Sequence, residues 1–377
     1  MLLFNHQLTF ILLMSILSPL KKRLIYRVTP FIILFIISSL IYLFLEKGIL
    51  GDATHYPSTN NPYNFNNSII ISIISACIFG LIIGSFEVLY FNKFFYSKSF
   101  LKKIIYKIAF YIVIVIIFLV STATISFIVE FDTDLFDKNV WINLRNFVTN
   151  IAFLSVILYI ITTIGFSLFY LEVSDNIGQE VLFNFFTGKY HKPIEEERIF
   201  MFLDMKSSTS IAEKLGHVKY FEMLAQYYAD LSNAIVEHAG IIYQYVGDEI
   251  VVSWSLDKGL KNNNCIHCFY SMQKALKNQS TKYLEQFGVL PTFKAGFHCG
   301  MITAGEIGTI KKVIVFTGDV LNTTARIEGL CNTYGQVILI SDCLVKKLKN
   351  NSGFTYKTVD KASLRGKNEQ IELFTIV

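Results

Sequence analysis

Charge is scarce in this chain and gathered nowhere. Asp, Glu, Lys and Arg make up 17% of its 377 residues, and the net charge is only +5. The basic residues of the N-terminal half flank apolar segments instead of forming the patch that neutralises phosphates, which argues against nucleic acid as a partner. Cysteine is also sparse. Of six, Cys77 lies in an apolar run, and Cys265, Cys268, Cys299, Cys331 and Cys343 lie in the C-terminal part. None falls in a loop expected outside the cell, so no disulfide framework is expected. Cys265-Ile-His-Cys268 has the spacing of half a zinc site, but no second Cys/His pair follows at ligand distance, and it reads as a structural helix. A small-residue cleavage site is missing after Leu8–Leu20, a run too short to span a bilayer, so a signal peptide is not expected. Residues 1–28 read as a cytoplasmic or interfacial segment, or in part as sequence upstream of a start at Met14. Ionisable groups are few inside the long apolar runs, where Glu87 and Lys107 sit near the ends. A transporter places charges near the bilayer midplane, so these runs read as an anchor or sensor.

What is abundant is apolar. Hydrophobic residues are 53% of the chain, above the roughly 45–50% of soluble domains. The excess sits in the first 171 residues, and the remaining 200 or so can bury a full core. Four runs, 29–46, 68–91, 104–129 and 146–171, are long enough for the roughly 30 Å hydrocarbon core. Residues 29–171 are therefore expected to be a multi-pass α-helical membrane domain in contact with the lipid bilayer. Lys21, Lys22, Arg23 and Arg27 precede the first run, and Lys93, Lys98, Lys102 and Lys103 join the second to the third. The 47–67 loop is nearly uncharged, and the 130–145 loop carries Glu130, Asp132, Asp134 and Asp137. This asymmetry puts both termini in the cytoplasm, at the inner membrane of a cell. Residues 172–196 read as a stiff coupling linker whose helix ends near Gly188, with Pro193 as a stop.

Residues 197–377 carry the chemistry. Ile199–Leu203 reads as a buried strand ending at Asp204. Met205, Lys206, Ser207, Ser208 and Thr209 form a small-residue turn that opens a helix, with Ile211, Leu215, Phe221, Leu224, Tyr228, Leu231 and Ile235 on one face and Ser210/Glu213 as a capping box. Backbone N–H groups at such a turn can hold phosphate. Ile241–Val246 and Ile250–Trp254 read as a hairpin around Gly247-Asp248-Glu249, which exposes a second Asp. Two hard carboxylates and a triphosphate suit Mg²⁺ or Mn²⁺. A helix around 262–284 follows, then a strand-turn-strand through Phe293–Gly308 and Val313–Phe316. Asn322 and Arg326 come next, four apart on one helix face. An Asn beside an Arg can orient a ribose and stabilise charge on a phosphoryl group. His298 reads as a structural strand histidine.

Taken in order, Phe202-Leu-Asp204-Met-Lys-Ser-Ser-Thr209, Val246-Gly-Asp248, Gly296-Phe-His-Cys-Gly300 through Gly305-Glu-Ile-Gly308, and Gly318-Asp-Val-Leu-Asn322-Thr-Thr-Ala-Arg326 resemble the motifs of class III adenylate/guanylate cyclases. The likeness covers about 195–377. It implies an α/β domain of ferredoxin-like, palm-type fold that works as a head-to-tail homodimer on a nucleoside triphosphate. It implies a metal set of Asp204, Met205 and Asp248 for two Mg²⁺ or Mn²⁺ ions, and catalytic Asn322 and Arg326 supplied by the partner. Nucleotide contacts would come from Lys206, Ser207, Ser208, Thr209 and Gly247. Arg365 stands where the family has a late phosphate-binding Lys, a change in geometry if not in charge. At the base-reading positions the family uses Lys with Asp or Thr for adenine, or Glu with Cys for guanine, whereas this chain has Gln244 and Val315. Gln244 can bond to either purine, and Thr317 is a substitute for Val315 if it turns inward. The reading is ATP, converted to 3′,5′-cyclic AMP and pyrophosphate. GTP, a pyrimidine nucleotide, a diguanylate cyclase and a catalytically inactive membrane receptor remain the alternatives.

Overall fold

The computed structural model describes residues 17–56, 63–91, 94, 98–348, 353–363 and 370–377. The chain divides into two compact units, one of Lys22–Leu182 and one containing Phe183–Val377.

The first unit is helical: α1 (Pro19–Leu50), α2 (Phe65–Phe86, continued by a π-helical turn Glu87–Phe91), α3 (Phe100–Phe131), α4 (Lys138–Val148) and α5 (Ile151–Ile177). Four of these are long and apolar enough to cross a membrane: Pro19–Leu50, Phe65–Phe91, Phe100–Val129 and Ile151–Ile177. Ile41, Ile70, Ile117 and Phe166 each expose more than half their surface, the outward apolar face that lipid tolerates and water penalises. Two details differ from the pattern read in the sequence. The fourth apolar run is broken at Thr149–Asn150, where the Asn150 side chain accepts from the Ala152 N–H and caps α5. Its first residues belong to α4, a separate amphipathic helix in the acidic loop. The ionisable groups near the run ends also face inward. Lys107 is fully buried, with Nζ 2.6 Å from Glu87 and 3.0 Å from Glu172. Glu87 accepts a further hydrogen bond from the Tyr111 hydroxyl, and Lys103 approaches Glu172 at 3.4 Å. Helices α2, α3 and α5 are thus tied by one ionic group. Gly178, at φ +98°, ends α5, and the short α6 (Gln179–Thr187) stops at Gly188, at φ +65°.

The second unit is a mixed eight-stranded sheet covered by helices. Its elements run β1 (Ile194–Met205), α7 (Ser208–Leu215), α8 (His217–Glu237), β2 (Ile241–Val246), β3 (Glu249–Ser255), α9 (Leu256–Leu260), α10 (Asn264–Asn278), α11 (Ser280–Phe287), β4 (Phe293–Ile307), β5 (Val313–Thr317), α12 (Asp319–Thr333), β6 (Ile338–Ser341), α13 (Asp342–Leu348), β7 (Tyr356–Ser363) and β8 (Gln370–Ile376). The strand order is β2-β3-β1-β4-β6-β8-β7, with β5 added to β4. The β2-β3-β1-β4 part is antiparallel throughout, with helices joining β1 to β2 and β3 to β4. That is the ferredoxin-like arrangement the motifs imply. β1 is buried on both faces: Ile199, Met201 and Leu203 pack with Tyr227, Leu231, Trp254 and Phe269, while Phe200 and Phe202 pack with Val251 and Ile302.

Local corrections have simple causes. The helix expected from residue 211 is two helices, because the chain turns at Gly216, at φ +76°. Phe221 does not join the core face and is 73% exposed. The capping box at Ser210/Glu213 does not form, since α7 already begins at Ser208, with Ser207 at φ +57° as its cap and no side-chain capping bond. The helix expected around 262–284 is likewise two, α10 and α11.

Candidate active site

Asp204 is the penultimate residue of β1, and the register sets it opposite Lys294 of β4. The Lys294 ammonium lies 3.4 Å from Asp204 and 2.8 Å from Glu328 on α12. Asp248 enters from the β2–β3 turn, where Gly247 adopts φ +63°, a conformation that carries no penalty only for glycine. Glu249 opens β3 beside it. Four carboxylates thus converge, with Lys294 acting on both Asp204 and Glu249. Burial, reinforced by Glu328 and Asp248 and opposed by Lys294, pushes Asp204 up to about 6. Burial, then Glu328, Asp204 and Asp248, pushes Glu249 up to about 7. Like charges crowded in a half-buried site resist ionisation unless a cation joins them.

Asp248 Oδ2 is buried and has no hydrogen-bond partner. An orphaned carboxylate oxygen beside a second carboxylate is a fitting donor set for a hard divalent cation. No group of three or more His, Cys, Asp or Glu that could hold a metal occurs among the described residues. The remaining ligands would have to be the carbonyl of Met205, phosphate oxygens and water, as Mg²⁺ commonly accepts.

Beyond Asp204 the chain turns sharply. The Lys206 N–H donates to the Thr292 carbonyl at 2.8 Å, and Ser207 takes the left-handed conformation, so that α7 starts at once. The first N–H groups of α7 have no side-chain cap and are free for an anion. A polar cleft of about 510 Å³ is lined by Asp204, the Lys206–Thr209 turn, Lys294 and Gln336. Metal-type and phosphate-type residues therefore border one space.

The other sequence candidates are placed elsewhere. Asn322 is exposed and Arg326 half-buried on α12. The helix aims Glu328, not Arg326, at Lys294. Gln244 is exposed on edge strand β2, next to a bulge. Val315 pairs with Gly305 on β5. The Thr317 hydroxyl donates to the Thr303 carbonyl at 3.3 Å, so it is engaged with its own sheet. Arg365 lies outside the described residues. His298 is bonded through Nδ1 to the Ser341 hydroxyl at 2.8 Å, a structural role. Cys265 and Cys268 are fully buried in α10. Lys294, Glu249 and Glu328 were not singled out from sequence. They stand one or two residues outside the quoted motifs, and only the β1–β4 register and the packing of α12 reveal that they meet Asp204.

Known proteins resemble this half of the chain. The family described as the adenylate and guanylate cyclase catalytic domain matches residues 190–377. Adenylate cyclase 2 of Rhizobium meliloti is 32% identical over 223 residues, which are 59% of this chain and 61% of that protein. The adenylate cyclase of Anabaena cylindrica is 32% identical over 183 residues, 47% of this chain and 36% of that protein. The chain thus spans less than two thirds of the length of either relative. Among solved structures, the adenylyl cyclase CyaB from P. aeruginosa aligns at 18% identity and TM-score 0.44, over 49% of this chain and 96% of that one. The guanylyl cyclase Cya2 aligns at 21% identity and TM-score 0.43, over 48% of this chain and 92% of that one. Through residues 190–377, the chain belongs to the adenylate and guanylate cyclase family.

Proposed function

We propose that the chain is a membrane-anchored cyclase that converts a nucleoside triphosphate into its 3′,5′-cyclic monophosphate and pyrophosphate. The observation that carries this reading is that Asp204 and the uncapped Lys206–Thr209 turn border one polar cleft, while Asp248, with an orphaned carboxylate oxygen, lies close enough to Asp204 to raise its pKa. Asp204 and Asp248, with Met205, would hold two Mg²⁺ or Mn²⁺ ions. When bound, these supply the Lewis acidity that acidifies the ribose 3′-hydroxyl and neutralises the triphosphate. The backbone of Ser207, Ser208 and Thr209 and the ammonium of Lys206 orient the phosphates, so that the 3′-oxygen faces the α-phosphorus and pyrophosphate leaves in line. Gly247 lets the turn bring Asp248 to that position.

The side chains of Asn322 and Arg326, on helix α12, have no hydrogen-bond or ion-pair partner among the described residues of their own chain. That suits a role in a homodimer in which each copy completes the other's site, Asn322 orienting the ribose and Arg326 stabilising charge on the phosphoryl group. Arg365 would add a phosphate contact. Gln244 and Val315 occupy the base-reading positions. ATP is the favoured substrate, since the Rhizobium and Anabaena relatives are adenylate cyclases. The four apolar helices would anchor the domain on the cytoplasmic side of the inner membrane.

The test is turnover by the purified full chain in detergent with Mn²⁺ and each of ATP, GTP, CTP and UTP, the products being identified by mass spectrometry. A cyclic mononucleotide from ATP above the others is the expected result. A cyclic dinucleotide from GTP, or no product from any nucleotide, would sink the reading. A reporter fused after Val377 should behave as cytoplasmic, and the opposite result would reverse the topology.

A further inference from the structure

Cys299 and Cys343 lie outside the proposed catalytic machinery but are not placed at random. β4 and β6 run parallel, with Phe297 opposite Ile340. Cys299 follows two residues later on β4, and Cys343 three residues later, where the chain turns into α13. The two sulfurs are 3.3 Å apart. A disulfide needs about 2.05 Å, so the approach still required is about 1.3 Å, within the reach of small side-chain rotations. The other four cysteines are also free thiols, and no bond between two cysteine sulfurs is found among them.

The surroundings of Cys343 are polar. Its sulfur lies 3.3 Å from His298 Nδ1 and 3.2 Å from the Ser341 hydroxyl, besides the Cys299 thiol. These groups can donate to a thiolate. The hydrogen bond from Cys299, helped against burial by His298 and Ser341, holds the Cys343 thiol below its ordinary range. The same bond, with burial, holds Cys299 above it. The Cys299 carbonyl, 3.3 Å from the Cys343 sulfur, favours the neutral thiol and works the other way. Two charge pairs flank the cysteines, Lys347 with Glu197 at 2.9 Å and Lys346 with Asp342 at 2.7 Å, and both lysines interact with Cys343. Cys343 is partly exposed, whereas Cys299 is 4% exposed. Cys343 is therefore the more exposed residue of the pair and the one whose thiol is held low, with the buried Cys299 sulfur in contact with it.

We infer that Cys343 and Cys299 form a peroxide-sensitive dithiol, Cys343 being the attacking and Cys299 the resolving residue. The Cys343 thiolate attacks one oxygen of a hydroperoxide, the O–O bond breaks, and the second oxygen leaves as water or an alcohol after taking a proton. This makes a sulfenic acid at Cys343. The Cys299 sulfur then attacks the sulfenic sulfur, its proton leaves with the hydroxyl as water, and the Cys299–Cys343 bond forms. Two thiols are oxidised by two electrons and one hydroperoxide is reduced. Reduction by an exogenous dithiol reverses the step. The bond would pin β4, the strand that carries Lys294, to the start of α13.

The experiment is oxidation of the full chain in detergent by hydrogen peroxide, followed by quenching, alkylation of remaining thiols and peptide mass spectrometry. The expected first product is a peptide pair joined through Cys299 and Cys343, two hydrogens lighter than the free pair and separated by dithiothreitol. Cys299→Ser should stop at a sulfenic acid on Cys343 that dimedone traps, and Cys343→Ser should leave Cys299 alkylatable. His298→Ala should slow the reaction of Cys343 by about tenfold if the ring supports the thiolate. The inference is overturned if Cys299 and Cys343 of the unaltered chain remain alkylatable while Cys77 or Cys331 oxidises. It is equally overturned if Cys343 in the Cys299→Ser chain reacts no faster than those cysteines.

Discussion

The Lys294 ammonium is locked 2.8 Å from the Glu328 carboxylate, with the two side chains only 7% and 9% exposed. This pair joins the strand facing Asp204 to the helix that carries Asn322 and Arg326. It therefore couples the placement of the metal-type residues to that of the residues proposed to act across the dimer.

Replacing Lys294 by Met should be costly. It leaves Asp204, Glu249 and Glu328 facing one another without a cation, and breaking a buried pair from one side costs about 3–5 kcal/mol. Thermal unfolding of the metal-free full chain should show a large loss for Lys294→Met and a smaller one for Glu328→Gln. Saturating Mn²⁺ should recover part of the first. An unchanged melting temperature would mean that the pair contributes nothing.

Gly296 sits where β4 meets α12. A Cβ there would lie 2.3 Å from the Glu328 backbone nitrogen, so helix or strand must move. Gly296→Ala should destabilise the catalytic domain by about 1–3 kcal/mol, the usual range for overpacking. It should lower turnover as well, because the displaced helix carries Arg326. Denaturant unfolding and activity of the same preparation check both halves.

The raised carboxylates make the metal-free domain pH-dependent in a definite direction. Asp204 at about 6 and Glu249 at about 7 stay protonated in the folded state over a range where the unfolded chain has already ionised. The unfolded state then binds fewer protons, so stability should fall as pH rises from about 4 to 7 and then level off. Metal competes with those protons, so Mn²⁺ affinity should climb over the upper part of this window. Calorimetry with and without chelator, on the unaltered chain and on Asp204→Asn, should show the slope shrinking in the variant; an equal slope in both would assign it to other groups. Asp204→Ala and Asp248→Ala should each abolish turnover, and activity within about threefold of the unaltered chain would refute the metal assignment.

Shared sites can be tested by mixing inactive chains. Asp248→Ala removes the metal side of both sites in its homodimer, and Arg326→Ala removes the phosphoryl side, at a cost of about 10²-fold or more. In a mixed dimer one site carries both lesions and the other none. Random exchange makes about half the dimers mixed, so activity should return to roughly a quarter. No recovery under proven exchange would mean that each site is built from one chain.

In the helical unit, Lys107 is the hub between Glu87 and Glu172. Lys107→Met should lower the melting temperature of the detergent-solubilised chain more than Lys103→Met, since Lys103 is partly exposed and reaches only Glu172. Combining Lys107→Met with Glu87→Gln and Glu172→Gln should restore much of the loss, as a neutral core often replaces a buried ionic group without penalty.

Much of the site could be read from residue order. Asp204, Asp248 and the Lys206–Thr209 turn are local features, each at the end of a strand whose hydrophobic run marks it; Asp204 and the turn border one cleft, and Asp248 lies beside Asp204. Lys294 and Glu328 could not be read this way. A lysine in a strand and a glutamate in a helix acquire meaning only when sheet register and helix packing bring them together across more than thirty residues.

The sequence alone determined the four apolar helices, the strand-and-turn order of the catalytic domain and its family, because hydrophobic period, turn residues and motif spacing are written along the chain. It could not determine the break at Gly216, the inward turn of Lys107, Glu87 and Glu172, or the sulfur contact of Cys299 with Cys343. Those depend on which faces pack together, and packing is settled by the sum of long-range contacts rather than by any local stretch. The same holds for Asn322 and Arg326, whose chemistry is legible but whose side chains meet no hydrogen-bond or ion-pair partner among the described residues.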